Sequence, residues 1–362
     1  MTTTTVRLPA AILAASAALL MAVQPVVANP RIVVDVETGR VLDHEDAFRR
    51  WYPASLTKLM TAYTAFEAVR SGQMTMESLV TMSKRAAAQP ASKMYYKPGQ
   101  QMTLDSALKI LLIKSANDVA VAIAESVGGS QEAFVDRMNQ NARKLGMSST
   151  RFINPNGLPG KGQYTTARDL AVLTVAIKRE FPEYAGLFSI EGFTTGKKNY
   201  PNYNLLIGRF DGADGMKTGF ICASGFNQVS SATRNGRSVV SVVLGTESLG
   251  ARADVSADLL QRALTTASKG NLTLRTLQPY GADRDVVADI SEEICNAKAG
   301  KIRSEGRDEA GRMKMNSPYI HEMTREPNFV FAGLIPGSDA QPVKAGKGEI
   351  ANVPIPIPRP TF

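Results

Sequence analysis

The chain has 362 residues, 44% hydrophobic and 21% charged, with a formal charge of +9, which suits one large domain or two moderate ones. Its basic residues are scattered, with no zinc-finger spacing, basic-region helix or aromatic-basic RNA signature, so nucleic acid is not an expected partner. The surplus suits an anionic polymer, an anionic membrane face or an ordinary solvated surface. Two cysteines and two histidines, in no ligand spacing, leave no expectation of a metal or another cofactor. A Ser-His-Asp hydrolase would have to use His44 or His321, and both read as surface residues.

Residues 1–28 read as a signal peptide: Arg7, an apolar run over 10–23, and Val26-Val27-Ala28 before Asn29. The run is short for a membrane span, although an uncleaved anchor is the alternative. Export places the protein in the periplasm or cell envelope. There Cys222 and Cys295 can either pair or remain two thiols.

From residue 31 the pattern predicts a strand over 31–36, a turn at Glu37-Thr38-Gly39 and a return over 40–42. A helix follows over about 55–69, with Leu59, Met60, Tyr63, Phe66 and Val69 as a buried stripe. Residues 104–127 are helical apart from a break at Lys114-Ser115-Ala116-Asn117, because Ser and Asn favour caps and turns over helix interiors. Another helix spans 131–145, a turn-rich loop 151–158, and a further helix 165–178 with Thr166 as N-cap and Asp169 in its first turn.

Residues 216–221, 226–233 and 238–244 read as strands, the last two joined at Asn235-Gly236, a strong hairpin signal. A closing helix runs over 252–267. The fold class is therefore α/β of the α+β kind, an antiparallel sheet flanked by helices with an all-α subdomain at about 75–180. The folded domain spans 29–268, and 269–362 is a C-terminal extension. In it, 271–277 reads as a strand and 353–360 as extended polyproline-like chain, partly disordered, with no amphipathic helix.

Three motifs carry chemistry. Ser55-Leu56-Thr57-Lys58 puts a hydroxyl and an amine on one face of a first helical turn, beside backbone N–H groups without helical partners. Ser55 attacks only if a base takes its proton, and Lys58 is that base if burial and a nearby cation, Lys217, depress its pKa. In the break between helices, Ser115 relays a proton to the leaving amine and the Asn117 amide holds the substrate peptide. Lys217 and Thr218, on an edge-like strand, suit a substrate carboxylate, and Gly219 leaves room for substrate along that strand. The backbone N–H groups of Ser55 and Phe220 form the oxyanion site. Alone the first motif is weak, since Ser106-Ala107-Leu108-Lys109 also fits it. The order of the three gives them meaning.

Together with Tyr52 to Thr61, Asn154-Pro155-Asn156-Gly157-Leu158, Thr166-Ala167-Arg168-Asp169-Leu170 and Asp214-Gly215-Met216-Lys217-Thr218-Gly219, these motifs resemble those of the D-alanyl-D-alanine carboxypeptidases. These are low-molecular-mass serine penicillin-binding proteins of the peptidase S11 type. The resemblance covers about 30–267 and implies a β-lactamase/transpeptidase-like fold. It further implies acylation of Ser55 by peptidoglycan stem peptides ending in D-Ala-D-Ala, release of D-Ala, and acylation by β-lactams. It also implies that Arg252 lies near the substrate carboxylate.

Two features depart from the family pattern: Asn156 stands where relatives often have His, and the Pro-rich end replaces a β-rich domain with an amphipathic anchor. A β-lactamase would need a water-activating Glu, and Glu180, Glu183 and Glu191 lack that context. A D,D-endopeptidase would use the same residues, and a non-catalytic peptidoglycan-binding protein would use none of them as chemistry.

Overall fold

The computed structural model describes residues 29–267, 270–305 and 313–338, besides the isolated Thr2. The signal peptide and the Pro-rich end lie outside the described residues. Five antiparallel strands form the main sheet: β1 (Arg31–Asp35), β2 (Val41–Glu45), β7 (Ala213–Ile221), β8 (Gly225–Arg234) and β9 (Arg237–Thr246), ordered β2-β1-β9-β8-β7. The first strand thus pairs with the last, Arg31 opposite Val243. The hairpin turn puts Asn235 and Gly236 at φ 50° and 76°, the left-handed pair that a two-residue hairpin needs.

Period-two alternation divides this sheet between two cores. Ile32, Val34, Val240, Val242 and Leu244 face the larger core, whereas Val33, Val239 and Val243 face Ala253, Ala257 and Leu260 of α7 (Leu249–Thr265). On the larger side lies α1 (Thr57–Arg70). The sequence predicts one buried stripe along it. Instead Thr61, Ala62, Thr64 and Ala65 are buried as well, and Val69 is only partly buried. The reason is enclosure: α3 (Leu104–Ile113), α4 (Asn117–Gly128), α5 (Gln131–Lys144) and α6 (Ala167–Glu180) all pack on α1.

Side-chain caps fix these helix starts. Thr103, Ser130, Thr166 and Ser248 each accept the N–H of the residue three positions on, an arrangement whose loss costs about 1 kcal/mol. The helical region also carries a two-stranded ribbon, β3 (Leu79–Thr81) against β4 (Gln101–Thr103), with α2 (Lys84–Ala87) between its strands. Although α6 falls within the range read as the helical subdomain, it packs on β1 and β9 of the sheet.

The sequence predicts a strand at 271–277. The structure has one bridge there, Thr273 with Arg40, followed by a turn. Ala288 bridges to Trp51. Beyond it come α8 (Ser291–Cys295), α9 (Ala297–Glu305) and β10 (Phe329–Phe331). β10 adds in parallel to β5 (Gly192–Thr194), which also pairs with β6 (Asn199–Pro201). Leu274, Leu277, Ala288 and Ala332 belong to the larger core.

Cys222 and Cys295 form a disulfide, so of the two states left open for an exported chain the structure has the paired one. The bond closes a loop spanning a sequence separation of 73, and on the chain-entropy account such a loop stabilises by about 4 kcal/mol. The double substitution C222S/C295S is expected to lower the melting temperature by roughly 8 °C. Thermal denaturation of the oxidised wild type and the variant checks this, and equal midpoints would mean that the bond adds nothing to stability.

Candidate active site

Ser55 sits in a single 3₁₀ turn, Ala54–Leu56, that runs directly into α1. Ser55 is therefore not the N-cap of α1, and Ala54 before it takes a φ of 46°, a conformation that a non-glycine residue holds only when its surroundings impose it. Those surroundings are identifiable. Gly157, at φ 84°, presses so close that a Cβ there would lie 1.7 Å from the Ala54 carbonyl oxygen. Gly219 passes the other side, where a Cβ would lie 3.1 Å from the Ser55 nitrogen.

Lys58 is fully buried. Its Nζ donates to Ser55 Oγ at 2.9 Å, to Asn117 Oδ1 at 2.8 Å and to the Asn156 carbonyl at 2.6 Å. The three donors of an ammonium are thus matched by three acceptors. A neutral amine keeps two of these bonds and turns its lone pair towards the serine hydroxyl. Burial pushes the Lys58 pKa down to about 7, with the charge of Asp118 acting in the opposite direction. The expectation that Lys217 also depresses Lys58 is not met in that form. Desolvation lowers Lys58, and the repulsion appears at Lys217, which burial first, then Lys58 and Arg252, hold well below the ordinary lysine range.

Ser115 lies in the turn between α3 and α4 at φ 61°. Its Oγ is buried without a hydrogen-bond partner among the described residues, and the residue lines the cleft. Asn117 opens α4. Its amide oxygen holds Lys58, while its Nδ2 donates to the Pro90 carbonyl at 3.1 Å. The side chain expected to grip substrate is therefore already engaged in positioning the amine.

Lys217, Thr218 and Gly219 lie in the middle of β7, not at its start, because the strand begins at Ala213 with a bulge before Gly215. The strand is the sheet edge nearest the serine turn. Among the described residues Lys217 Nζ donates only to the Thr218 carbonyl, at 2.8 Å. Phe220 is 40% exposed, with its ring tilted against Phe226 at 4.3 Å between centroids. Arg252, buried near the start of α7, donates to the Tyr203 carbonyl at 3.2 Å. Burial pushes its pKa to about 9, which leaves it cationic at neutral pH.

These groups converge on a cleft of about 420 Å³ lined by Ser55, Ser115, Asn117, Thr218, Gly219 and Arg252 among others, none of them acidic. Every residue singled out in the sequence lines it or touches a residue that does. Of the two histidines, His44 is half-buried, 2.8 Å from the Tyr280 hydroxyl, and His321 is exposed. Neither lines the cleft. The chance match Ser106–Lys109 resolves as well, since Lys109 pairs with Asp105 along α3 at 2.6 Å.

Sequence reading missed two contributors. The Asn156 main-chain carbonyl is invisible to side-chain pattern. Asp118 carries a weak signal, a carboxylate at the head of a helix that is apolar over the following 119–124.

The arrangement supplies a hydroxyl with an adjacent, partly neutral amine, a second hydroxyl, the basic groups of Lys217 and Arg252, and a substrate-wide edge strand. That combination suits acyl transfer to serine from a substrate with a carboxylate.

A family model described as D-alanyl-D-alanine carboxypeptidase matches residues 17–248. The D-alanyl-D-alanine carboxypeptidase DacC of Escherichia coli K12 is 38% identical over 236 residues, 63% of this chain and 59% of that protein. DacF of Bacillus subtilis 168 is 34% identical over 226 residues, covering 60% of this chain and 57% of its own. The chain thus spans less than two thirds of the length of these curated relatives. Among solved structures, the D-alanyl-D-alanine carboxypeptidase DacD of Francisella tularensis has a TM-score of 0.63 at 33% identity, over 65% of this chain and 70% of that one. Penicillin-binding protein D2 of Listeria monocytogenes, in its ampicillin-bound form, has a TM-score of 0.59 at 29% identity, over 65% and 95%.

Proposed function

Because the chain belongs to the D-alanyl-D-alanine carboxypeptidase family, matched over more than half of its length, we propose that it is a serine-type D-Ala-D-Ala carboxypeptidase acting on peptidoglycan stem peptides. The observation that carries this is the 2.9 Å contact between Ser55 Oγ and a buried Lys58 amine whose pKa lies about 7.

In this reading the neutral Lys58 takes the Ser55 proton as Oγ bonds to the penultimate D-Ala carbonyl carbon. The backbone N–H groups of Ser55 and Phe220 receive the developing oxyanion, where one lost donor costs roughly 3 kcal/mol of barrier. The C–N bond then breaks. The proton held on Lys58 passes through the Ser115 hydroxyl to the departing D-Ala amine, a step in which Ser115 Oγ, buried without a partner among the described residues, gains its bonds only once the acyl-enzyme forms. Lys217, Thr218 and Arg252 hold the terminal carboxylate. An arriving anion also favours the charged form of Lys217, which burial first, then Lys58 and Arg252, disfavour in the empty cleft. Water next attacks the acyl ester, gives its proton to Lys58, and returns Ser55 to the hydroxyl form.

Asn117 acts here on Lys58 more than on substrate. The leader in residues 1–28 fits export to the periplasm or cell envelope. No helix among the described residues is long and apolar enough to cross a membrane.

The cleft offers no carboxylate to activate the deacylating water. Glu180 accepts from Tyr63, Glu191 pairs with Arg325, and Glu183 is exposed. A long-lived penicilloyl adduct follows. The test incubates purified protein with a diacyl-D-Ala-D-Ala peptide and, separately, with benzylpenicillin. Steady D-Ala release and a stable adduct mapped to Ser55 are expected. Rapid penicillin turnover would favour a β-lactamase, and neither product nor adduct would favour a peptidoglycan-binding protein.

A further inference from the structure

Residues 89–95 form a strap along the cleft, where Ala91 and Ser92 contribute to its wall. The strap has no strand or helix of its own, so other bonds must hold it. They converge on the head of α4. Asn117 donates its main-chain N–H to the Ser92 carbonyl at 2.7 Å and its Nδ2 to the Pro90 carbonyl at 3.1 Å. Ser92 Oγ donates to the Lys114 carbonyl at 3.1 Å, and Asn156 Nδ2 to Gln89 Oε1 at 2.9 Å.

Asp118 provides the anchor at the far end. Its Oδ2 accepts the N–H groups of Met94 at 2.8 Å and Tyr95 at 3.1 Å, and its Oδ1 accepts the N–H of Val119 at 2.9 Å. This carboxylate is fully buried, without an ion-pair partner within contact among the described residues. A buried anion held by three backbone donors is an expensive device for a turn alone.

We propose that Asp118 is a positioning residue of this active site: its carboxylate clamps the 89–95 strap to the head of α4 and thereby holds Asn117, and through it the Lys58 amine, in place. The inference rests on reading Ser55 and Lys58 as nucleophile and base. The adjacency of Asp118 and Asn117 makes the coupling direct. One turn of backbone presents a neutral amide to Lys58 and a charged group to the strap, so movement of the strap becomes movement of the Asn117 oxygen.

The clamp has a second effect on the same amine. Lys58 on α1 and Tyr96 just past the strap both feel the Asp118 charge, while Lys217 on β7, itself beside Arg252 of α7, repels Lys58 across the cleft. At Lys58 the Asp118 charge opposes the lowering that burial imposes. Removing its charge lowers the Lys58 pKa further, so the amine becomes neutral at lower pH.

Asp118→Asn and Asp118→Glu decide the matter with two measurements: the pH dependence of benzylpenicillin acylation and amide hydrogen exchange at Met94 and Tyr95. In Asp118→Asn the exchange is expected to accelerate about tenfold, the scale of losing one hydrogen bond to a charged acceptor. The acid limb of acylation should move to lower pH than in wild type. Asp118→Glu should return that limb to the wild-type position at a reduced rate. An Asn variant that is slower at every pH with an unmoved limb would reduce Asp118 to a structural role, and unchanged exchange would remove the clamp. If the Asn variant fails to fold, the Glu variant decides by the position of its limb. Absence of D-Ala release by wild type would sink the carboxypeptidase reading only. If penicillin also failed to react, the exchange measurement would still decide the clamp.

Discussion

Ser55→Ala is expected to lose D-Ala release by a factor on the order of 10⁶, the scale of deleting a serine nucleophile, and to take no penicillin adduct at all. The geometry explains why nothing substitutes. Ser115 offers another hydroxyl in the cleft, but among the described residues no hydrogen bond joins it to Lys58 or Lys217, so it lacks the paired amine that makes Ser55 reactive. The fold should persist, because Ser55 is only half-buried in a turn and Lys58 keeps Asn117 and the Asn156 carbonyl as acceptors. Mass spectrometry after penicillin treatment, with a D-Ala assay beside it, checks both losses. An adduct of unchanged yield on the Ala variant would move the nucleophile elsewhere.

Lys58 should control the pH dependence of the same reaction. Its folded pKa is lowered to about 7 from an ordinary 10.5, and the neutral form is the base. Acylation therefore falls as pH drops through about 7, approaching tenfold per unit below it, and is sustained above it. Lys58→Met should abolish that limb and lower the acylation rate by about 10²–10⁴, the usual contribution of a positioned base. Lys58→Arg should be equally slow at any pH the protein survives, because a guanidinium does not give up its proton. Penicillin acylation rates between pH 5 and 9 test the assignment. A wild-type profile flat across that range would exclude Lys58 as the titrating base.

Local signals carried much of the fold. Asn235-Gly236 can be read as a turn because only a left-handed pair closes so short a hairpin, and Thr166 as a cap because its hydroxyl reaches Asp169 N–H. Legibility fails where contacts are made by distant partners. Periodicity along α1 shows that it is buried but not that four helices enclose it. β7 begins earlier than the apolar run suggests because Asp214 is held by Lys178, Ser231 and Thr233 instead of facing solvent.

The elements that return Leu274, Ala288 and Ala332 to the larger core are single bridges at Thr273 and Ala288 and a three-residue strand, too short to leave a pattern. At the site, the residue types and order of Ser55, Lys58, Ser115 and Lys217 were legible. Their couplings were not. That Asn117 binds Lys58, that a main-chain carbonyl from Asn156 completes the amine's shell, and that Lys217 receives the repulsion all follow from three-dimensional proximity.

The pairing of β1 with β9 bears on when this protein can first work. Strands so far apart in sequence cannot zip locally, and folds rich in such pairings form slowly because the loop must close before any bond rewards it. The intervening helices each close hydrogen bonds within their own segment and do not wait for that pairing. Ser55 lies on the N-terminal side of that helical insertion and Gly219, which backs it, on the C-terminal side. On the proposed mechanism, a nascent chain thus carries its nucleophile from the start but has no oxyanion site or carboxylate grip until β7 docks and β9 locks against β1. Reactivity on this account waits on the closure of a long loop and not on the nucleophile's own segment.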